Sequence, residues 1–312
     1  MKLYLGIVQG FFPWLYENEI KRCMHKKKSG ILFSYWQFRK CIQRIKAIGL
    51  HDYFSFDGPI MIDSGAYSAH HSGIAISLEN YTDFLKNIGV YDSDIIVNLD
   101  VIGNQYRSFS NWSTLMQSID HPILPVVHFP KINTIDYSVS NIGLGGMVSS
   151  LKINEKGSVF DVAAWLAKFR SITDQKFHGF GLGSPFHQLA FKNNLESIDW
   201  IGWRRNAAIG DCYTPEGSRS VPSARKSSRT RKWFTVELFD KYKPAFLENF
   251  AQLQQPGSRG WINRALWNVW IFLTAQNYCL KIEQVSYVRS IKKRMKKIVS
   301  QDHIRSLNYY FN

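Results

Sequence analysis

Cysteine is scarce. The chain of 312 residues has four, Cys23, Cys41, Cys212 and Cys279, and none forms a C-x-x-C pair. That argues against a disulfide scaffold and against zinc held by paired thiols, and scattered thiols suit a reducing cytosol. Acidic residues are also in deficit. Twenty-four Asp and Glu stand against thirty-nine Lys and Arg, a formal net charge of +15. A globular chain this basic usually meets a polyanion, most often nucleic acid or an anionic membrane surface, and nucleic acid is the expectation here. Long apolar runs are missing. The longest near the C-terminus, "WNVWIFLTA" (267–275), contains Asn268 and is far too short to span a bilayer. The opening "MKLYLGIVQGFF" lacks a long apolar core and an A-x-A-like cleavage site, so it reads as a first strand and not a secretory leader. No internal repeat stands out. "GFGLGS" (179–184) does not satisfy G-x-G-x-x-G and has no Walker lysine, which argues against a nucleoside-triphosphate loop.

What is present is an ordinary 45% of hydrophobic residues, a high 15% of aromatics, and a length that can bury a large core. Short apolar runs recur, each stopping at glycine, a polar residue or a charge: "LYLGIV" (3–8), "IMI" (60–62), "DIIVNLD" (94–100), "ILPVVHF" (123–129), "NIGLGGM" (141–147), "FHGFGLG" (177–183) and "IDWIGW" (198–203). Helical patterns lie between several of them. Residues 77–90 begin at Ser77 as N-cap and place Leu78, Tyr81, Phe84, Leu85 and Ile88 at helical spacing; 158–172 and 184–195 behave alike. Strand alternating with helix predicts βα units and a parallel sheet, an α/β protein of the (β/α)8 TIM-barrel type. An open doubly wound sheet predicts the same functional edge, because both folds put chemistry at the C-terminal ends of strands.

The pattern fades near residue 213. The expected organisation is a barrel domain over 1–213, a basic loop over 214–233 and a helical extension over 234–312 packed on the barrel. The loop carries Arg219, Arg225, Lys226, Arg229, Arg231 and Lys232, with no acid between Glu216 and Glu237. In the last helical segment Lys292, Lys293 and Lys296 crowd the faces beside an apolar stripe of Val288, Ile291, Met295 and Ile298. That helix reads equally as an amphipathic surface helix or as a phosphate-contacting face.

Several residues fall where strands end: Asp63 in "PIMIDSGAYSAHH", Asp100, His128, Gly145 with Gly146, and Asp199. Asp63 and Asp199 suit a two-carboxylate mechanism, in which one attacks an electrophilic carbon and the other moves protons. "IGLGGMVSS" (142–150) has glycines that permit close backbone approach to a ligand, or simply a turn. Nothing near His128 has metal-ligand spacing.

The order of these motifs over residues 60–205 resembles the tRNA-guanine transglycosylase superfamily. "DSGAY" is similar to that family's D-S-G-G-F, "NLDVI" to its next strand end, "LGGMVSS" to G-G-L-A-V-G, and "GFGLGSP" to M-G-V-G-T-P. "PVVHF" stands where the family has I-V-Q-G, and "SIDWIGW" where it has its nucleophile. The resemblance implies a TIM barrel that exchanges guanine for a 7-deazaguanine without metal or organic cofactor. It implies Asp199 as nucleophile, Asp63 as general acid/base and Asp100 as reader of the purine edge. It places Gly145, Gly146 and Met147 along the base, Ser64 and His128 beside it, and Tyr67 and Phe180 on its faces. His128 replaces a family glutamine, and the family's C-x-C-x2-C…H zinc motif is absent. That departure, with the basic C-terminal region, is similar to the divergent branch that puts 7-deazaguanines (preQ0-like) into DNA in bacterial modification systems and phages. The expected partners are DNA, with tRNA as alternative, a 7-deazaguanine base and other modification-system proteins, in the cytoplasm and away from membranes. Arg204, Arg205 and the basic loop and helix would face phosphate. A non-catalytic nucleic-acid-binding subunit is the remaining alternative.

Overall fold

The computed structural model describes residues 1–128, 137–147, 166, 170, 173–191, 194–215, 217–222, 224 and 232–278. The first half runs β1 (Lys2–Gly6), α1 (Pro13–Tyr16), α2 (Asn18–Lys26), β2 (Gly30–Ser34), α3 (Ile42–Ile48), α4 (Leu50–Phe54), β3 (Ile60–Asp63), α5 (Ala66–His71), α6 (Leu78–Lys86), β4 (Ile95–Val97) and α7 (Gln105–Ser118). It continues with β5 (Ile123–Leu124), β6 (Val126–His128), β7 (Asn141–Gly145), β8 (Lys176–Gly179), α8 (Pro185–Phe191), β9 (Ser197–Trp200) and α9 (Gly202–Ala208). A ribbon of β10 (Asp211–Thr214) and β11 (Gly217–Ser220) follows, then α10 (Val236–Tyr242), α11 (Ala251–Gln254) and α12 (Gly257–Thr274).

Nine parallel strands pair in the order β5-β4-β3-β2-β1-β9-β8-β7-β6. The two outer strands, β5 and β6, are separated only by Pro125. Proline has no N–H to give a neighbour, and the ladder changes partner there. β5 pairs with β4 and β6 with β7, while the Gly143 N–H donates to the Pro125 carbonyl at 2.8 Å. The two edges are consecutive pieces of one strand, so the sheet curls into a barrel of eight staves. This is the α/β TIM-barrel-like fold that the strand–helix alternation predicts.

Strand parity decides what faces inward. Tyr4, Leu32, Met61, Val97, Leu124 and Val126 fill the barrel interior, with Phe180 against them. Their neighbours Leu3, Leu5, Ile31, Phe33, Ile60, Ile62, Ile96 and Val127 pack outward under the helices. Because both faces are buried, the strands read as continuous apolar runs. The strand Gly30–Ser34 is absent from the sequence-based expectation. "GILFS" is fully buried but stops on neither a charge nor a glycine. Its Gly30 is required, since a Cβ there would lie 2.5 Å from the Pro59 carbonyl oxygen and from the Tyr4 ring.

α6 starts where predicted: Ser77 Oγ accepts the Asn80 N–H at 3.2 Å, and Tyr81, Phe84 and Leu85 are buried. The helix expected over 158–172 lies outside the described residues apart from Leu166 and Arg170. Residues 217–220, read as loop from their polarity, form a strand. They pair with β10, and the Ser220 hydroxyl donates to Asp211 at 2.9 Å.

α12 is apolar around most of its circumference because it serves two cores. Ala265, Leu266, Val269, Phe272 and Leu273 join the barrel core, while Trp267 and Ile271 join a second cluster with Cys212, Val221, Phe234 and Phe239. Asn268, the polar interruption in "WNVWIFLTA", is buried and fully used. It accepts the Tyr213 N–H at 2.7 Å and donates to the Trp203 and Asp211 carbonyls, both at 3.1 Å. No helix among the described residues is long and apolar enough to cross a membrane.

Candidate active site

Inward parity at the C-terminal ends of the strands selects the polar groups. Asp63 is two residues past Met61 on β3, and His128 two past Val126 on β6. On β9, Asp199 is two past Ser197, which is the register partner of His178 on β8. Asp100 follows β4 by three residues. Its segment is held from α7: Ser108 Oγ accepts the Val101 N–H at 2.8 Å, and Asn111 donates to the Leu99 carbonyl at 2.8 Å.

Three carboxylates therefore share the barrel mouth, and each is treated differently. Asp63 accepts the Gly65 N–H at 3.1 Å. Burial first, and then the negative charges of Asp100 and Asp199, push its carboxyl up to about 8, against the pull of the Gly65 and Ser64 N–H groups. Asp63 is thus protonated near neutral pH. Asp100 is paired with His128, Oδ2 to Nε2 at 2.6 Å. Asp199 is buried, with Oδ1 accepting the Gly181 N–H at 2.7 Å and lying 3.3 Å from His178 Nε2. A protonated carboxyl at the same mouth as a buried aspartate held by an N–H is an arrangement that suits a general acid and a nucleophile.

The glycines of "IGLGG" make room for rings. A Cβ on Gly143 would stand 2.6 Å from the Phe180 ring, and one on Gly145 2.8 Å from the His128 ring. Gly65 takes φ +78°, and a Cβ on it would strike Ser34 Oγ and Trp36 Cβ, each at 2.5 Å. Only glycine tolerates that backbone at this contact, which is why glycine follows Asp63 so closely. Gly146 also has a positive φ, and Met147 beside it is buried. Ser64 is buried, with its Oγ accepting the Ala66 N–H at 3.3 Å as the entry to α5.

Tyr67 lies in the first turn of α5, exposed, with its ring packed on His71 at 4.1 Å between centroids. Phe180 meets His178 edge-on at 4.5 Å. Arg204 and Arg205 are exposed at the start of α9, directly after β9, and Lys232 is exposed near the ribbon. Arg225, Lys226, Arg229, Arg231, Lys292, Lys293 and Lys296 lie outside the described residues.

Part of this chain is similar to a curated enzyme. It is 44% identical over 198 residues to the tRNA-guanine(15) transglycosylase of Picrophilus torridus, a match covering 57% of this chain and 31% of the relative. The chain spans about a third of the length of that relative. No protein-family profile matches the chain.

Four mouth residues escape the sequence reading. His178 sits inside an apolar strand; its signal is a polar residue at inward parity two positions before Phe180. Ser34 ends β2 as the register partner of Asp63, and its buried Oγ has no hydrogen-bond partner among the described residues. Trp36 and Arg39 follow β2. The Trp36 N–H donates to the Ser64 carbonyl at 3.2 Å, and the Arg39 guanidinium lies over the indole at 4.1 Å. An exposed arginine stacked on an aromatic beside the mouth is suited to a nucleotide and its phosphate. No cluster of three metal-ligating side chains occurs among the described residues.

Proposed function

We propose that this protein is a base-exchange transglycosylase that replaces guanine in a nucleic acid by a 7-deazaguanine through a covalent intermediate on Asp199. The observation that carries the reading is the division of labour between Asp63, protonated near neutral pH, and Asp199, buried with one oxygen held by an N–H. Similarity to a tRNA-guanine(15) transglycosylase supports the same chemistry.

In this reading a carboxylate oxygen of Asp199 attacks C1′ of the target nucleotide. The C1′–N bond breaks, and the departing guanine takes the proton of Asp63. The incoming 7-deazaguanine then gives its N–H proton to Asp63, and its nitrogen attacks C1′ and displaces the Asp199 carboxylate. The enzyme ends as it began. Asp100 would read the base edge once its pairing with His128 is exchanged for the ligand, and Gly145, Gly146 and Met147 would line the pocket. Tyr67 and Phe180 would cover the ring faces, with Ser64 near the base. The target has to leave its stack to reach the barrel mouth. Trp36, Arg39, Arg204 and Arg205 would hold the flanking strand, together with the basic residues at 225–232 and 292–296.

DNA is the polymer favoured by the missing zinc motif and the basic C-terminal region. A tRNA substrate is the second reading, favoured by the activity for which the relative is named. Incubation with labelled 7-deazaguanine bases and duplex DNA or tRNA, followed by mass spectrometry of the nucleosides, decides between them. Asp199→Ala is expected to abolish incorporation while nucleic-acid binding persists. Full exchange by that variant would refute the assignment, and failure to trap any adduct with the parent protein would favour a binding subunit.

A further inference from the structure

We infer that His178 is a positioning residue for Asp199: it holds Oδ1 and thereby leaves Oδ2 as the oxygen that bonds to C1′. The inference deepens the exchange reading and rests on it. His178 is buried at 3% exposure and Asp199 at 6%. Two nitrogens converge on one oxygen of the carboxylate: the Gly181 N–H donates at 2.7 Å and His178 Nε2 lies at 3.3 Å. Oδ2 has no hydrogen-bond partner among the described residues. An oxygen with two donors has its lone pairs engaged, and the other is the better nucleophile.

The imidazole is set up for this contact. Its Nδ1 lies 2.9 Å from Ser197 Oγ. If the serine hydroxyl donates to Nδ1, the neutral ring carries its proton on Nε2 and points it at Asp199. Ring rotation is blocked by Phe180 on one side and Tyr4 on another, with centroids 4.5 Å and 5.8 Å away. Strand register does the rest, because His178 and Ser197 are paired positions and Asp199 is the next inward residue. The side chains from Ser197 to Asp199 therefore form one line across two strands.

That line has work in both half-reactions. Before attack it holds the Asp199 carboxylate in one orientation at the mouth. After attack, Oδ1 is the carbonyl oxygen of the ester. When the incoming base displaces the sugar, negative charge returns to the carboxylate and the same two donors receive it. His178 keeps its proton throughout and touches neither sugar nor base, so the effect belongs in kcat and not in the KM for the base.

The test uses the full chain and four variants. His178→Phe removes both ring nitrogens; His178→Gln restores an N–H near the Nε2 position; Ser197→Ala frees the tautomer; Asp199→Asn removes the anion. His178→Phe is expected to lower kcat by about 10- to 100-fold, the scale seen when a residue orienting a reactive group is lost, with KM for the base unchanged. His178→Gln is expected to recover most of that loss. In parallel, 15N-histidine NMR of the parent without substrate is expected to show the Nε2–H tautomer at His178, lost in Ser197→Ala, and a changed His178 Nε2 resonance in Asp199→Asn. Parent-like kcat in His178→Phe, a Gln variant as slow as Phe, or an Nδ1–H tautomer would overturn the inference. A parent protein that exchanges no base would instead overturn the exchange reading, while the NMR arm still decides the His178–Asp199 contact.

Discussion

Replacing Asp63 by Asn should make the folded protein more stable, by an amount that grows with pH. The Asp63 carboxyl has an ordinary value of 3.8 and is pushed up to about 8 in the folded chain, by burial first and by Asp100 and Asp199 second. The unfolded chain ionises near the lower value. Folding above it must either carry a proton or bury a charge, so the contribution of the carboxyl to stability is fully present below the ordinary value and is lost as pH rises through the folded one. Each pH unit inside that window is worth about 1.4 kcal/mol. Asn has the same shape, can accept the Gly65 N–H, and does not titrate. The stability gap between variant and parent is therefore expected to widen by about 3 to 4 kcal/mol between about pH 5 and about pH 8. Urea denaturation at several pH values, analysed with a shared slope, measures this directly. The same variant is expected to lose base exchange, having no proton to give. A gap that stays flat with pH, or a parent that gains on the variant as pH rises, would refute the account of a protonated acid at the mouth.

Four further outcomes follow from the geometry. Gly65→Ala strains a backbone at φ +78° and drives a methyl into Ser34 and Trp36; thermal denaturation should show a loss of about 1 to 3 kcal/mol, together with reduced exchange. Gly145→Ala pushes on the His128 ring, so binding of a 7-deazaguanine, read by calorimetry, should weaken while folding is largely kept. At the opposite end of the barrel, His51 Nε2 lies 2.9 Å from Asp94. Burial lowers the histidine, but the hydrogen bond and charge of Asp94 outweigh it and raise it overall. That pair stabilises the fold below the ordinary histidine value and fades as pH rises through the raised one, so Asp94→Asn should cost roughly 3 kcal/mol near pH 6 and less near pH 8. Asn268→Leu strands the Tyr213 N–H and two carbonyls, and should lower stability by about 2 to 4 kcal/mol in urea denaturation.

Much of the barrel was legible because a strand buried on both faces leaves an apolar run that a polar residue at the rim must end. "IMID" and "PVVH" announce themselves in that way. "GILFS" does not, because its terminal serine looks like any turn residue. The carboxylates could be found one at a time, as strand ends. Their grouping could not be read directly, since Asp63, Asp100 and Asp199 are distant in sequence and meet only through closure. The contact of His128 with Asp100 was equally hidden, as 28 residues separate the two. His178 was lost in a stretch whose glycines drew attention to the backbone. Trp36 and Arg39 follow the one barrel strand that went unrecognised, so the rim position that gives them meaning was missing.

Closure at Pro125 has a consequence for Asp63 and Asp199. The barrel divides there into two halves: β1–β5 carries Asp63, and β6–β9 carries His128, His178 and Asp199. A peptide linkage joins the halves at one junction, and hydrogen bonding between β1 and β9 joins them at the other, with Lys2 opposite Ser197 and Leu5 opposite Trp200. Asp63 and Asp199 thus stand on opposite banks of that second junction. Their separation is governed by how firmly the N-terminal strand is zipped to β9, and fraying of the first few residues would widen the gap without touching either carboxylate.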